Sequence, residues 1–319
     1  MSKREKSIRE NMMENIKFTS KGVTCSAWYI PSSSEEFMTS RGRPCIVMAT
    51  GFGGTKDTGL LDFAEPFSQA GFDTFIFDYR GFGESAGLPR QHVSYINQRE
   101  DYHAAIAAAR SLPFVDRNRI VLWGTSYSGG HVVVVAAQDP KISAVVSMNP
   151  ATDGLAALKQ VFQYGGIKQI TTAIGHGIKD LIYAIAQRPP HLIPIVGQPG
   201  TAAMISTPGA EESYTAMAGP TWRNEVCARA ALEVSYNRPV TFAKNVKCPT
   251  LVQVGSNDQI APPNPARKTA SLIQGPSKLL EYPIDHFDFY TESWHGKILN
   301  DQIEFLKQLF APKTNMPKS

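Results

Sequence analysis

The chain of 319 residues predicts an α/β fold: a mostly parallel, doubly wound sheet with a helical insertion after the sixth strand. Three observations indicate this fold. Short apolar runs alternate with longer helical stretches, several of these runs end in glycine-containing loops, and one run turns abruptly at Ser126 into a small, polar segment. Strands that alternate with helices through short connections are typical of parallel sheets, whose loops gather at the carboxyl ends of the strands.

The first half of the chain supplies a hairpin and the first strands of this sheet. Residues 16–30 alternate loosely between apolar and polar and break at Gly22, which predicts an antiparallel hairpin at the sheet edge. Strands and helices then follow in turn. The predicted elements are a strand at 44–50, a helix at about 60–70, a strand at 74–79, a helix at about 94–111 and a strand at 119–125.

The second half continues this alternation after one interruption. Strands are predicted at 142–148, 250–254 and 278–282, and an amphipathic helix over 298–310 closes the chain. Because residues 151–240 interrupt the pattern, we expect three regions. These are a first part of the core at 1–150, an inserted lid at 151–240 and a second part of the core at 241–319.

Residues 124–130, Gly-Thr-Ser-Tyr-Ser-Gly-Gly, have the pattern of a nucleophile elbow. In such an elbow a sharp strand-to-helix bend projects the serine Oγ from the backbone, and this serine is Ser126. Its neighbours Gly124 and Ser128 lie where bulky side chains would clash across the bend. The usual pattern is Gly-x-Ser-x-Gly, and here Ser128 replaces the last glycine with a residue that is nearly as small.

Several motifs in one order make the chain resemble the α/β-hydrolase superfamily over nearly its whole length. The loop 78–85, Asp-Tyr-Arg-Gly-Phe-Gly-Glu-Ser, matches the loop that commonly follows the fourth strand in that superfamily. Ser126, Asp258 and His286 occur in the superfamily's order of nucleophile, acid and base. The resemblance implies the α/β-hydrolase fold and a serine nucleophile.

Two stretches point to a narrower resemblance. Gly-Thr-Ser-Tyr-Ser-Gly-Gly-His-Val at 124–132 and His-Phe-Asp-Phe-Tyr at 286–290 are similar to hydrolase-like proteins of the fungal polyketide transferase type and their bacterial relatives. The Gly-x-Ser-Tyr-x-Gly elbow also resembles that of cocaine esterases and Xaa-Pro peptidases. Those families, however, use a tyrosine in the loop after the third strand, where this chain has Gly51-Phe52-Gly53.

This arrangement assigns a role to each candidate residue. His286 is expected to take the proton of the Ser126 hydroxyl, since a serine hydroxyl is a poor nucleophile until a base removes its proton. Asp258 is expected to orient His286 and to stabilise the imidazolium. The backbone N–H groups of Tyr127 and Phe52 are the expected oxyanion-hole donors.

Other residues compete for these roles or have structural ones. Asp153 follows the sixth strand, where some members of the superfamily carry their acid, and it is the alternative to Asp258. Asp285 precedes His286 where the common pattern has glycine, and Asp288 is expected to be a structural or solvent-facing carboxylate. In the 78–85 loop, the polar side chains are expected to brace the loop rather than to act on substrate; they belong to Arg80, Glu84 and Ser85.

The insertion is expected to determine what the site accepts. Isoleucines and leucines recur in it at three- and four-residue spacing, which predicts a helix with one strongly apolar face. They are Ile167, Ile170, Ile174, Ile178, Leu181, Ile182 and Ile185. We expect most of this stripe to pack the insertion onto the core, Gly175 and Gly177 to kink or break the helix, and residues 189–220 to be irregular. A hydrophobic acyl substrate fits such an insertion better than a highly charged one.

Composition and short motifs limit which partners, cellular locations and bound metals are expected for the chain. The net charge of +4 is mild and the basic residues are scattered, so no nucleic-acid partner is expected. No stretch has the length of a membrane span, residues 1–10 lack the apolar segment of a secretory signal, and the end Pro-Lys-Ser is not a peroxisomal Ser-Lys-Leu signal. Cysteines 25, 45, 227 and 248 show no metal-ligand spacing. We therefore expect a cytoplasmic protein without cofactor or metal, and a homodimer is compatible with the sequence, which does not determine the oligomeric state.

These observations predict a serine hydrolase that cleaves an ester or thioester of a hydrophobic acyl group through an acyl-enzyme on Ser126. Three alternatives stay open. An acyltransferase would use the same triad with an alcohol or carrier in place of water, and carbon–carbon bond hydrolysis uses the same scaffold. A non-catalytic small-molecule binding protein could keep the fold and its pocket without turnover.

Overall fold

The computed structural model describes residues 13–311 and is built on a central eight-stranded sheet. The expectations for residues 1–10 and for the final Pro-Lys-Ser lie outside these residues. The strands, numbered in chain order, are β1 (Glu14–Ser20), β2 (Val23–Ile30), β3 (Arg43–Ala49), β4 (Asp73–Phe77), β5 (Val115–Thr125), β6 (Ile142–Met148), β7 (Leu192–Ile193), β8 (Val226–Cys227), β9 (Thr250–Gly255) and β10 (Ser277–Tyr282).

The sheet is mostly parallel, as the sequence predicts. Its strand order is β1-β2-β4-β3-β5-β6-β9-β10, while β7 and β8 form a separate small ribbon. Only the β1–β2 and β2–β4 pairs in the central sheet are antiparallel. The β1–β2 hairpin lies at the edge and turns at Lys21 and Gly22, which both have positive φ. The predicted hairpin is therefore confirmed, and so is the doubly wound α/β class.

Helices cover both faces of the sheet. They are α1 (Leu61–Gln69), α2 (Tyr95–Ser111), α3 (Ser126–Gln138), α4 (Gly154–Ile185), α5 (Ala210–Met217), α6 (Ala230–Glu233), α7 (Pro263–Leu272) and α8 (Glu292–Phe310). Short 3₁₀ turns cover Val234–Tyr236, Pro239–Thr241, Ala243–Asn245 and Asp288–Tyr290. The terminal helix begins six residues before the predicted 298, because its apolar face starts only after the exposed first turn.

The core forms one apolar layer on each side of the sheet. Neighbouring residues of β5 show this, because Leu122 belongs to one buried cluster and Trp123 to the other. Such a split follows from the strand period of two, which points successive side chains to opposite faces. Both faces of β5 are covered, so its apolar run is continuous rather than alternating.

The insertion after β6 contains α4, α5, α6 and the β7–β8 ribbon before the chain returns to the sheet at β9. Residues 189–220 are not irregular throughout, since they include β7 and the eight-residue helix α5. Among residues 13–311, no helix is long and apolar enough to cross a membrane.

The predicted break in α4 lies at the wrong glycines. Gly175 and Gly177 are helical, and the non-helical residue is Gly166, with φ 62° and ψ −168°. Gly177 serves close packing instead, because a Cβ there would lie 2.8 Å from Cγ of Leu232. Of these three glycines, only Gly166 has the positive φ that an L side chain resists.

The apolar stripe of α4 does not pack onto the core as expected. Six of its seven predicted members are exposed to solvent, and only Ile170 is partly covered. The face of α4 that meets the protein is instead polar: buried Asp180 forms an ion pair with Arg229, its Oδ2 lying 2.6 Å from Nε. The helix was predicted correctly, but its orientation was not.

Candidate active site

The bend between β5 and α3 places Ser126 at the carboxyl edge of the sheet. Ser126 has φ 54°, a left-handed conformation that non-glycine residues rarely adopt. The bend is tight, since a Cβ on Gly124 would lie 2.3 Å from the carbonyl oxygen of Ser128. Such local strain persists only where the surrounding structure imposes it, and it is typical of functional sites.

Ser128 explains how the elbow tolerates serine in place of the usual glycine. Its side chain is fully buried. The hydroxyl donates to the carbonyl of Ala49 at 2.7 Å and accepts from the amide of Thr125 at 3.0 Å. The extra oxygen is therefore satisfied, and it ties the elbow to the end of β3.

Ser126, His286 and Asp258 form a continuous chain of hydrogen bonds. His286 Nε2 lies 2.9 Å from Ser126 Oγ, and His286 Nδ1 lies 2.6 Å from Asp258 Oδ2. The other oxygen of Asp258 accepts the amides of Ile260 and Ala261 at 2.8 and 2.7 Å. The three side chains follow β5, β9 and β10, so the parallel sheet brings them to one edge.

Asp153, the alternative acid, lies in a different part of the fold, directly before α4. Its carboxylate accepts the Leu155 amide at the start of α4 and pairs with Arg238, whose Nε and Nη2 lie 3.0 and 2.9 Å away. Burial by itself would raise the pKa of Asp153, but the hydrogen bonds from Arg238 and the backbone outweigh it and hold the pKa below its usual value. The structure brings Asp258, and not Asp153, to His286.

Asn149, which the sequence analysis did not single out, joins the elbow to the histidine loop. It is buried at the end of β6. Its Oδ1 accepts the Thr125 hydroxyl at 2.8 Å and the Ser126 amide at 3.1 Å, and its Nδ2 donates to the His286 carbonyl at 3.0 Å. The available sequence signal was an asparagine directly after an apolar run; in the structure Asn149 has φ 36°, a conformation that asparagine tolerates.

Asp285, which stands where glycine is common, links the acid loop to the histidine loop. Its carboxylate accepts the backbone and side-chain N–H groups of Gln259, both at 2.8 Å, and the amide of His286 at 2.7 Å. Asp288 in turn accepts the Asp285 amide at 2.8 Å. Asp288 therefore has the structural role that was expected, and Asp285 helps to hold His286 beside Asp258.

The loop after β3 lies directly against the nucleophile. A Cβ on Gly51 would lie 2.8 Å from Cβ of Ser126. The amide of Phe52 donates no hydrogen bond to any residue between 13 and 311. Tyr127 is the second residue of α3, and the first amides of a helix lack partners within it. Both predicted oxyanion donors are thus amides beside Ser126 that have no acceptor among the residues that the structure describes.

The side chain of Tyr127 packs into the core rather than into the cleft. It is 7% exposed, and its ring makes edge contacts with Phe52 at 5.4 Å and with His131 at 4.8 Å between centroids. Only its amide can therefore serve a reacting group in the cleft.

A fully buried lysine braces the loop from behind. The Lys56 ammonium lies 2.8 Å from Asp78 and 2.6 Å from Glu84. Asp78 also accepts the Lys56 amide at 2.7 Å. Ser85 donates to the Asp78 carbonyl at 2.7 Å. The 78–85 loop is thus held by its own polar groups, as expected, while the sequence analysis overlooked Lys56.

Arg80 completes this bracing on the other side of the loop. Its Nε lies 2.6 Å from a carboxylate oxygen of buried Asp101 in α2, so it too has the expected bracing contact.

The insertion closes over the same loop. Tyr214 in α5 donates its hydroxyl to the Phe52 carbonyl at 3.0 Å and is buried. Its ring stacks on Trp222 with centroids 5.1 Å apart. Ile195, after β7, lies where a Cβ on Gly53 would meet its Cδ1 at 2.5 Å. The insertion and the loop are therefore in direct contact.

The cleft above Ser126 is mainly apolar and aromatic. Its empty volume is about 420 Å³, counted with the part open to solvent. It is lined by Thr50, Gly51, Phe52, Thr58, Thr125, Ser126, Ile205, Tyr214, Met217, His286, Phe287 and Tyr290. Within the described residues, no cluster of three or more His, Cys, Asp or Glu side chains is placed to hold a metal ion.

Comparison with known proteins gives a family match that covers most of the chain. Residues 41–301 match the hydrolase family described as serine aminopeptidase, S33. The quorum-quenching protein AidA of Acinetobacter baumannii (strain MDR-ZJ06) is 36% identical over 94% of this chain and 96% of its own length. The polyketide transferase ATR5 of Stachybotrys chlorohalonatus (strain IBT 40285) is 27% identical over 93% of this chain and 97% of its own.

A solved structure shares the fold over nearly the whole chain. The α/β-hydrolase GrgF from Penicillium sp. sh18 aligns with a TM-score of 0.77 and 22% identity, covering 94% of this chain and 99% of that one. The resemblance to α/β-hydrolases that the sequence predicted is confirmed.

Proposed function

Because the chain belongs to the serine aminopeptidase S33 family of α/β-hydrolases, we propose that it cleaves an ester or thioester of a hydrophobic acyl group through an acyl-enzyme on Ser126. One observation carries this proposal: the hydrogen-bonded chain from Ser126 Oγ through His286 to Asp258. A nucleophile within hydrogen-bond reach of a base that a third group orients is the arrangement that nucleophilic catalysis requires.

Acylation follows from this geometry. His286 Nε2 takes the Ser126 proton as Oγ bonds to the carbonyl carbon of the substrate, and the carbonyl oxygen becomes an oxyanion. The amides of Phe52 and Tyr127 stabilise that oxyanion, and one such donor is typically worth about 10²–10³ in rate. As the intermediate collapses, His286 returns the proton to the leaving alcohol or thiol, and the acyl group stays on Ser126.

Deacylation repeats these steps with water. His286 takes a proton from the water whose oxygen attacks the acyl carbon, and it then returns the proton to Ser126 Oγ as the carboxylic acid leaves. Asp258 keeps its charge throughout and stabilises the imidazolium in both halves of the reaction. The apolar lining from Phe52, Met217 and Phe287 favours a hydrophobic acyl chain over a charged one.

A fluorophosphonate probe tests whether Ser126 is an activated nucleophile. We expect one adduct on the Ser126 peptide by mass spectrometry and none in Ser126→Ala, whose melting temperature should stay close to that of the parent. A folded parent protein that remains unlabelled, and that hydrolyses neither p-nitrophenyl esters nor acyl thioesters of any chain length, would favour a binding protein on the same fold and overturn the proposal.

Acyl transfer is the second candidate, since a relative that aligns over 97% of its own length is named a polyketide transferase. Transfer would use the same acyl-enzyme with an alcohol in place of water. Adding an alcohol during ester turnover separates the two reactions: a hydrolase releases mainly free acid, whereas a transferase releases mainly the new ester at the same rate of ester consumption.

A further inference from the structure

Helix α4 presents its apolar side to solvent and its polar side to the protein. Ile167, Ile182 and Ile185 are 64%, 57% and 77% exposed, while Asp180 is fully buried. A surface helix of a globular protein normally has the opposite arrangement, with apolar residues inward and polar residues outward. The outward face is therefore better suited to contact with an apolar environment than with water.

In the part of α4 after Gly166, the exposed apolar residues lie along one side of the helix, which we call the outer face of α4. They are three, four or seven residues apart, with Leu181 and Ile182 adjacent, so they share one side of the helix. This part runs from residue 167 to residue 185, a length of roughly 27 Å at the usual helical rise. The members of the outer face are Ile167, Ile174, Ile178, Leu181, Ile182 and Ile185.

The inner side of α4 prevents the helix from rolling to bury this face. Asp180 accepts Nε and Nη2 of Arg229 at 2.6 and 3.0 Å, and the amides of His191 and Arg229 at 2.8 and 3.0 Å. Gly177 lies against Leu232 with no room for a Cβ. Rolling would expose the hydrogen-bonded carboxylate and break this contact, so the outward orientation is held.

Cations without a carboxylate partner lie along the same helix, and two of them, Lys179 and Arg188, lie over the ring of Tyr183. Lys159, Lys168, Lys179 and Arg188 are all exposed, and none of them forms an ion pair with a residue between 13 and 311. The only acid from 154 to 188 is Asp180, which Arg229 already neutralises. The face is thus apolar with a basic border.

We propose that the outer face of α4 docks on an anionic lipid bilayer, with the helix lying in the plane of the membrane surface. Apolar side chains that enter the acyl boundary, beside lysines that meet acidic headgroups, are the combination that interfacial helices use. A second copy of the chain fits less well, since face-to-face packing would bring the same uncompensated cations of both copies together.

Docking in this orientation would place the candidate active site near the membrane. Gln160 in the first half of α4 donates its side-chain amide to the Asp258 carbonyl at 3.3 Å. The helix that carries the outer face therefore contacts the loop of the predicted acid directly. This consequence rests on the proposed function, whereas the docking itself does not.

Co-sedimentation with vesicles tests the proposal on the full chain. The probes are vesicles of phosphatidylcholine alone and of phosphatidylcholine mixed with phosphatidylglycerol. We expect binding to the mixed vesicles that weakens as salt rises. Lys168→Gln with Lys179→Gln should weaken it roughly thirtyfold, and Ile178→Ser with Ile182→Ser should weaken it by at least about tenfold.

Matched controls lie on other surfaces. Leu88→Ser removes an apolar side chain that is 91% exposed, and Lys244→Gln with Lys247→Gln removes two exposed lysines; these variants should bind like the parent. Ester hydrolysis in solution by the Ile178/Ile182 variant should be unchanged, because neither residue lines the cleft. That readout also separates a failure of docking from a failure of the proposed function.

Three results would overturn the proposal. The first is that the parent chain does not sediment with the mixed vesicles, and the second is that it binds both vesicle types equally at every salt concentration. In the third, light scattering would find a dimer in the parent and a monomer in the Ile178/Ile182 variant, so that the outer face joins two copies of the chain.

Discussion

Replacing Asp258 by asparagine tests the acid assignment, because the surrounding backbone dictates how the new amide must sit. Asp258 Oδ1 accepts two backbone amides, from Ile260 and Ala261. In the variant only the carbonyl oxygen of the asparagine can replace this acceptor, which turns its NH₂ group toward His286 Nδ1. A donor facing Nδ1 requires that nitrogen to be unprotonated, and the proton then sits on Nε2.

The expected loss follows from that tautomer. With Nε2 protonated, His286 can no longer accept the Ser126 proton across their 2.9 Å contact. The same change in a serine protease triad lowers kcat about 10⁴-fold while the geometry stays intact. We expect a similar fall in kcat for Asp258→Asn with little change in KM, because Asp258 does not line the cleft.

Asp153→Asn is the matched control. Asparagine can still accept the Leu155 amide at the start of α4, and only the half-exposed ion pair with Arg238 is lost. We expect kcat within a few-fold of the parent. The assay is steady-state hydrolysis of a p-nitrophenyl ester, with circular dichroism to show that both variants fold. If Asp153→Asn is the more damaging change, or if Asp258→Asn keeps more than a tenth of parental kcat, the acid assignment is wrong.

Three further predictions concern the loop, the elbow and the core. Tyr214→Phe removes the hydroxyl that holds the Phe52 carbonyl, so kcat should fall about two- to tenfold with the melting temperature nearly unchanged; an unaltered kcat would show that the insertion does not position the loop. Gly124→Ala places a methyl group 2.3 Å from the Ser128 carbonyl oxygen and should lower the free energy of unfolding by ~1–3 kcal/mol in urea titrations, whereas Gly296→Ala, at an exposed helical position of α8 where a Cβ meets nothing, should not lower it. Burial holds the pKa of His131 well below its ordinary value of 6.5, so only the unfolded chain takes up this proton, and the free energy of unfolding should fall as the pH drops below about 6.5. His131→Gln should flatten the dependence of the free energy of unfolding on pH in that range. An identical slope in parent and variant would contradict the statement that His131 stays neutral in the folded protein.

Much of the fold was readable from local sequence. The apolar runs of β3, β5 and β9 are buried on both faces, and this burial produces the continuous runs from which strands were predicted. The elbow could also be predicted from local sequence, because Gly124 and Ser128 lie within a bend that is only a few residues long. Parallel strands bring their carboxyl ends to one edge, so Ser126, Asp258 and His286 could be expected to meet there.

Contacts between distant residues were not readable in this way. The hydroxyl of Tyr214 reaches the Phe52 carbonyl across 162 residues of chain. Asn149 joins the elbow to the His286 loop, which lies 137 residues further on. No local pattern marks such partners, because the hydrogen bond exists only once the sheet has brought the loops together. The choice between Asp258 and Asp153 has the same origin: both follow predicted strands, and only their packing partners differ.

The outer face of α4 shows most clearly where the information of the sequence ends. Periodicity determined that the isoleucines share one side of a helix, because that depends on helical geometry alone. It did not determine the direction in which this side faces. That direction was decided by Arg229, which lies 49 residues after Asp180 and draws the polar side of the helix inward. Leaving a buried carboxylate without a charged partner costs more free energy than leaving an isoleucine side chain exposed to solvent. Only the tertiary structure brings that charged partner to Asp180.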